Sequence, residues 1–193
     1  MQYSASVSVI ILASSAVLLG QNSLQAYRHD LSAGHTNEWK LASLVPGQTR
    51  FTKVDRILGR PSPTSSDRTA TWTNCLQQLV VESDQTGVVQ TIRVSKVSDG
   101  PILDCYGQSG NASQWKTGLG LKTNDSTERA ISIYGAPTSR SPSTKGGQQL
   151  ELLYYAFDWA GPDVPQVMEV LCTPERDGKP GRVVEITLAA PSL

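Results

Sequence analysis

The sequence predicts an α+β fold of two tandem units, each a short helix packed on a three-stranded antiparallel β-meander. An internal repeat, two helix stops of one kind and a change of hydrophobic period after each stop predict it. Sliding the 193-residue chain by 76 positions sets Trp39-Lys40 on Trp115-Lys116, Ile57 on Ile133, Gly59 on Gly135 and Pro61 on Pro137. These are five identities in the 23 pairs from 39 to 61. Between them, Val45 matches Leu121, Lys53 Arg129, Val54 Ala130 and Leu58 Tyr134 in character. Repetition of this kind constrains architecture before any local reading does. It does not specify an activity.

In the first unit, Phe51, Val54, Ile57 and Leu58 follow an i, i+3, i+6, i+7 pattern that places one apolar face on a short helix. Thr49 suits the N-cap, Gly59 the left-handed stop, and Pro61 prevents resumption. After the Pro/Ser/Thr loop from Arg60 to Asp67 the period becomes two. Thr69–Cys75, Leu76–Glu82 and Val88–Ser95 are predicted strands, with Val88, Gln90, Ile92 and Val94 alternating against Val89, Thr91, Arg93 and Ser95. The second unit repeats the plan. Thr123-Asn124-Asp125 offers capping residues to a helix over Ser126–Tyr134 that buries Ala130, Ile131, Ile133 and Tyr134. Gly135-Ala136-Pro137 stops it, and Thr138 to Gln148 reads as a loop. Strands Leu150–Phe157, Val167–Cys172 and Val183–Leu188 follow, the last with Val184, Ile186 and Leu188 on one side and Glu185 and Thr187 on the other. A sheet with one apolar face and a helix over it is a stable two-layer arrangement.

The predicted organisation is a signal peptide over 1–26, a mobile N-terminal arm over 27–38, and units over 39–107 and 108–193. The first 26 residues hold no Lys, Arg, Asp or Glu and carry an apolar run from Val7 to Leu19 followed by small and polar residues. That run of 13 positions is shorter than the roughly 18 apolar residues of a membrane span, so cleavage after Ala26 and export are expected. The alternative is a retained N-terminal anchor. Seventeen basic residues balance 17 acidic ones. Nucleic-acid binding leans on a basic excess, so the balance argues against that class of partner and gives no pull towards an anionic membrane.

The chain has three cysteines, Cys75, Cys105 and Cys172. In an oxidising compartment one pair is expected with one thiol left over. Cys75 with Cys105 would close a loop of about 30 residues and contribute roughly 3–4 kcal/mol. Cys105 with Cys172 is the other pairing, and the leftover thiol reads as a small buried hydrophobe.

The residues Val54, Ile57, Leu58, Gly59 and Pro61, with Ala130, Ile133, Tyr134, Gly135, Pro137 and the Asp177-Gly178 turn, resemble the superfamily of the β-lactamase inhibitor protein and the BamE (SmpA/OmlA) envelope lipoproteins. The resemblance spans most of residues 39 to 188. It implies a curved sheet and protein binding as the activity. This chain lacks the lipidated Cys of BamE-type proteins and the one disulfide per repeat of the inhibitor, so inhibition of a β-lactamase is not implied.

Signatures of catalysis are sparse. His29 and His35 lie in the predicted arm, where a metal site would need further ligands from Asp30 or Glu38. Gly118-Leu119-Gly120 and Gly146-Gly147 lack the Gly-Lys-Ser/Thr of a phosphate loop. No catalytic residue, metal site or cofactor is assigned. Trp39 and Trp115 are expected in the core as equivalents. Trp72, Tyr155, Phe157 and Trp159 are the candidate protein-contact residues, because large aromatics on rigid strands make strong anchors; an inter-unit core is the competing placement. The sequence thus predicts an exported, periplasmic, envelope-associated or secreted protein that is not an enzyme and binds another envelope or extracellular protein. The alternatives are an envelope scaffold held by an uncleaved N-terminus, where alone a membrane enters, and a small thiol-dependent or hydrolytic enzyme.

Overall fold

A computed structural model describes residues 36–63, 65–97, 114–157 and 166–190, all within one compact unit, Gly34–Leu193. The predicted signal peptide, most of the arm, both histidines, Cys105 and Trp159 lie outside the described residues. A 3-10 turn, Phe51–Lys53, runs into helix α1, Val54–Leu58. Strands β1 (Thr69–Thr73), β2 (Gln77–Ser83) and β3 (Val89–Lys96) follow, then helix α2 (Thr127–Tyr134). Strands β4 (Ser139–Lys145), β5 (Gln148–Phe157), β6 (Gln166–Cys172) and β7 (Val183–Ala189) complete the described elements.

The seven strands form one sheet in the order β1-β2-β3-β7-β6-β5-β4, antiparallel at every ladder. This corrects the predicted fold class. The protein is mainly β, with two short helices among the described residues, and is not α+β with two tandem helix-on-meander units. Two separate meanders would each leave unpaired edges. Here β3 and β7 pair with each other from Thr91↔Ala189 to Ser95↔Glu185, so the sheet is continuous. The Ser/Thr-rich stretch read as a loop contains β4, an edge strand whose residues are almost all exposed and so show no apolar alternation. Pro142 and the flanking charges blunt that edge. At the other edge, Ser62 and Ser66 donate their N–H groups to the carbonyls of Thr71 and Thr69, both at 2.7 Å. The Ser66 and Ser65 hydroxyls accept from the N–H groups of Thr69 and Thr71 in return.

Two bulges alter the predicted facing. Glu82 pairs with Thr91 and Ser83 with Val89, which leaves Gln90 extra and turns Val89, not Val88, inward with Ile92 and Val94. Leu171 pairs with Glu185 and Cys172 with Val183, which leaves Val184 extra and buries Val183 in its place.

One face carries the core: Ala70, Trp72, Leu79, Val81, Ile92, Val94, Leu153, Tyr155, Phe157, Met168, Val170, Cys172, Ile186 and Leu188, packed with Leu41, Leu44, Val54, Leu121, Ala130 and Tyr134. The helices contribute little to it. Val54 is the buried residue of α1, and Ile57, expected on its apolar face, is 47% exposed. Both helices end on glycines in the left-handed region, Gly59 at φ 82° and Gly135 at φ 83°. The glycine carbonyls accept from core aromatics, Trp72 Nε1–H at 2.9 Å and, more weakly, the Tyr155 hydroxyl at 3.4 Å. Thr49 does not cap α1; its hydroxyl accepts from Val45 N–H instead. Ser126 caps α2 by accepting from Arg129 N–H at 3.2 Å.

The opposite face is mixed. Leu152, Tyr154, Val167 and Leu171 are half-buried there, beside Glu185, which pairs with Lys145 and, at 3.9 Å, with Arg93. Unequal faces give an expected outcome for urea unfolding. Tyr155→Ala lowers the unfolding free energy by about 3–5 kcal/mol, whereas Leu152→Ala costs about 1 kcal/mol. Equal losses would mean that both faces are packed alike.

Candidate functional site

The segment before the first helix is fastened by a buried side chain. Glu38, placed by the sequence in the arm, is 1% exposed. Its Oε1 accepts from the N–H groups of Trp39 (2.8 Å), Lys40 (3.0 Å) and Gly118 (3.0 Å). Its Oε2 accepts from Leu119 N–H (3.0 Å) and the Tyr134 hydroxyl (2.7 Å). Tyr134 has one proton and gives it to Glu38, so in its 2.6 Å contact with Thr117 the threonine hydroxyl is the donor. Thr117 Oγ1 in turn accepts from Leu121 N–H at 3.0 Å. Burial, reinforced by the Glu38 carboxylate, raises the Tyr134 phenol far above its ordinary value of 10. Gly118 is required by close approach: a Cβ there would stand 2.6 Å from Glu38 Oε1.

Backbone pairing continues from that fastening. Gly118 N–H donates to Lys40 O at 2.9 Å and Ala42 N–H to Lys116 O at 3.0 Å. The segments that carry the repeated Trp-Lys dipeptides therefore pair with each other, Leu41 opposite Thr117, rather than lying in equivalent pockets. Trp39, expected in the core, is 42% exposed, while Trp115 packs partly against the core. Between Leu41 and Leu44, which exchange backbone hydrogen bonds, Ala42 and Ser43 take φ 53° and 67°. Left-handed backbone costs a non-glycine residue about 1 kcal/mol or more. From the other side Gln77, fully buried, pairs its amide with the Trp115 backbone. Its Nε2 donates to Trp115 O at 3.0 Å and its Oε1 accepts from Trp115 N–H at 2.6 Å.

These fastenings frame a cleft of about 470 Å³. Its walls include Ile57, Leu58 and Trp115, and Lys40 and Lys116 stand among its described lining residues with no carboxylate. Trp39 and Leu119, 42% and 44% exposed, are the chain neighbours of the lining residues Lys40 and Gly118. Among the described residues, Lys40 and Lys116 make no ion pair. The arrangement is a groove of mixed polarity, in which Ile57, Leu58 and Trp115 lie beside Ser43, Gln114 and two lysines.

The residues predicted as protein contacts lie elsewhere. Trp72 is 5% exposed and Tyr155 and Phe157 are fully buried, with Tyr134, Tyr155 and Phe157 ring centroids 5.7–6.1 Å apart. They are core residues and offer no surface to a partner. Burial raises the Tyr155 phenol to about 12. Trp159 lies outside the described residues. Cys75 is in a disulfide, and Cys172 is a free, buried thiol. Burial pushes that thiol up to about 11, so it is protonated at neutral pH and poorly suited to nucleophilic work. Among the described residues no group of three His, Cys, Asp or Glu side chains is placed to hold a metal ion.

No protein-family model matches the chain. No curated protein matches it either. The structure is similar to that of a DUF4309 family protein (YjgB) from Bacillus subtilis subsp. subtilis str. 168, at 12% sequence identity and a TM-score of 0.43, over 84% of this chain and 92% of that one. A likeness of that degree carries no functional argument.

Glu38→Ala removes the carboxylate acceptor of a buried hydroxyl and of four N–H groups, of which Gly118 keeps Lys40 O. It is expected to lower the unfolding free energy by about 3–5 kcal/mol, measured by urea denaturation, while Tyr134→Phe costs about 1 kcal/mol. A Glu38→Ala loss below that of Tyr134→Phe would contradict the fastening. Cys172 gives a pH dependence. Its folded-state value lies above the ordinary 9, so the folded protein keeps a proton that the unfolded chain releases. The stabilisation is full below about pH 9 and is lost as pH rises towards 11, with Tyr134 and Tyr155 adding to the loss above about pH 10. Cys172→Ala is expected to flatten the fall in melting temperature between pH 9 and 10, and native Cys172 is expected to resist Ellman's reagent until denaturant is added.

Proposed function

We propose that this chain is an exported, non-enzymatic protein-binding module of the bacterial cell envelope or extracellular space, and that its cleft beside α1 receives the partner. The observation that carries the reading is the group of large apolar side chains that line the cleft and reach its surface. Ile57 is 47% exposed on the cleft wall, with the half-buried Leu58 and Trp115 in the same lining. Exposed apolar side chains gathered in one place mark interaction surfaces more often than scattered ones do. The backbone beneath them is hydrogen-bonded and built to hold its shape, and a preorganised surface loses less ordering entropy on association.

Two further features support export. The charge-free apolar run from Val7 to Leu19 suits a secretory signal, and a disulfide at Cys75 suits an oxidising compartment. The resemblance to BamE and the β-lactamase inhibitor protein agrees in the kind of work, protein gripping, although the two-unit architecture it implied is not the one observed. The contact residues are reassigned accordingly, from the buried Trp72, Tyr155 and Phe157 to Ile57 and its neighbours.

The test is site-specific photocrosslinking in the producing cell. A crosslinking residue at position 57 is expected to yield a discrete adduct with an envelope protein, and one at exposed Gln85, in the β2–β3 turn, is expected to yield none. Matching patterns from the two positions would overturn the assignment of the cleft. Ile57→Ser should abolish the adduct formed from a crosslinker at the lining position 114 while leaving the melting temperature within about 2 °C.

A further inference from the structure

We infer that the cleft is selective for an acidic peptide segment, its carboxylates meeting Lys40 and Lys116 and an aliphatic or aromatic residue lying against Ile57, Leu58 and Trp115. This rests on the reading of the cleft as a protein-docking site and adds the chemistry of the occupant. The argument is charge complementarity. The chain as a whole is neutral, 17 basic residues against 17 acidic, yet among the described residues the lining of the cleft holds two lysines and no carboxylate. Some exposed cations elsewhere have acidic neighbours, as with Arg129 and Asp125 at 3.2 Å or Arg140 and Glu151 at 3.6 Å. A second cleft, of about 630 Å³ beside β4, shows the contrast, since its lining carries Arg140 together with Glu151 and Glu175.

Glu38 sharpens the point. It is the carboxylate closest in sequence to Lys40, and its oxygens are committed to Trp39, Lys40, Gly118 and Leu119 N–H groups and to Tyr134. The only acidic side chain on the 36–54 segment is thus sealed beneath the site, leaving the lysine ammonium groups on the outside. The two lysines are also held in register, because Lys40 O and Lys116 O accept from the opposing strand segment at 2.9 and 3.0 Å. The polar groups of Ser43 and Gln114 in the same lining suit a peptide backbone running between the lysines. A lipid surface would instead call for cations spread over a broad face, and the chain concentrates these two in a groove.

The experiment uses the full mature chain and two short fluorescent peptides with the same Leu and Phe anchors, one flanked by Glu and the other by Lys, read by anisotropy. The Glu peptide is expected to bind more tightly, with its advantage shrinking as salt is raised. Lys40→Ser and Lys116→Ser are each expected to weaken it roughly two- to five-fold, and the double variant to erase the preference. Ile57→Ser should weaken both peptides, and all variants should keep the native melting temperature. Equal binding of the two peptides, or Glu-peptide binding indifferent to both lysines, overturns the inference. If neither peptide binds while the crosslink from position 57 persists, the acidic preference fails and the docking site stands; if both are absent, both fail. Lysine-dependent binding to anionic phosphatidylglycerol vesicles without peptide binding, or Ile57-dependent self-association in sedimentation, would make the occupant a membrane or a second copy and would equally overturn it.

Discussion

The buried carboxylate of Glu38 is the constraint on which the surface of this protein depends. Taking a charged group out of water is unfavourable by several kcal/mol unless its lone pairs are used. Here five donors converge on two oxygens, drawn from its own chain neighbours, from the turn at 118–119 and from α2. The three partners are far apart in sequence, so one side chain closes contacts that the strand ladders do not make. The proton order from Thr117 through Tyr134 to Glu38 makes the contacts mutually dependent, since each hydroxyl both accepts and donates. Gly118 belongs to the same constraint, because any side chain there would displace the carboxylate.

Below this fastening the sheet sets a second limit. Seven strands in one antiparallel layer present a wide apolar face, and α1 and α2 are too short to cover it. Val54 is the buried residue of the first, and the second offers Thr127, Ala130 and Tyr134. The remaining volume is filled from the sheet itself, which is why Trp72, Tyr155 and Phe157 point inward and why the turn at Leu41–Leu44 and Leu121 are drawn into the core. Large aromatics on rigid strands are good anchors in principle. Among the described residues they compensate for a thin covering layer.

The sequence was legible where local physics decides the outcome. Gly59 and Gly135 stop their helices in nearly identical backbone conformations, and β1, β2, β3, β6 and β7 fall within two residues of the predicted runs. It was illegible where partners are remote. Alternation gives a strand's period but not its neighbour, so nothing local in Ile92 or Ile186 announces that β3 pairs with β7. Bulges at Gln90 and Val184 shift the inward set by one residue without disturbing the apolar count. The edge strand β4 carries no apolar face because it has little to bury. Glu38 reads as a solvated arm residue, since four of its five donors are backbone groups and backbone groups leave no signature in a sequence. The Trp-Lys repeat did mark the right place, for a reason the repeat did not contain: the segments that carry its two copies are in hydrogen-bonded contact.

That contact explains how a small fold keeps a rigid groove at its surface. Ala42 and Ser43 hold left-handed conformations that are unfavourable for L-residues, and they persist because Lys116 O, Leu41 and Leu44 fix the chain on either side. Gln77 does the same for Trp115 by imitating a strand neighbour with its amide. With the backbone satisfied on both walls, Ile57 can stay outside the core without loosening the helix that carries it, since α1 is tied down at Val54 and at the Gly59 carbonyl by Trp72. An exposed isoleucine on a loose segment would collapse onto any nearby apolar surface. Held on this frame, it keeps a fixed apolar surface next to two fixed lysine positions, the condition under which charge and shape can be read together by one partner.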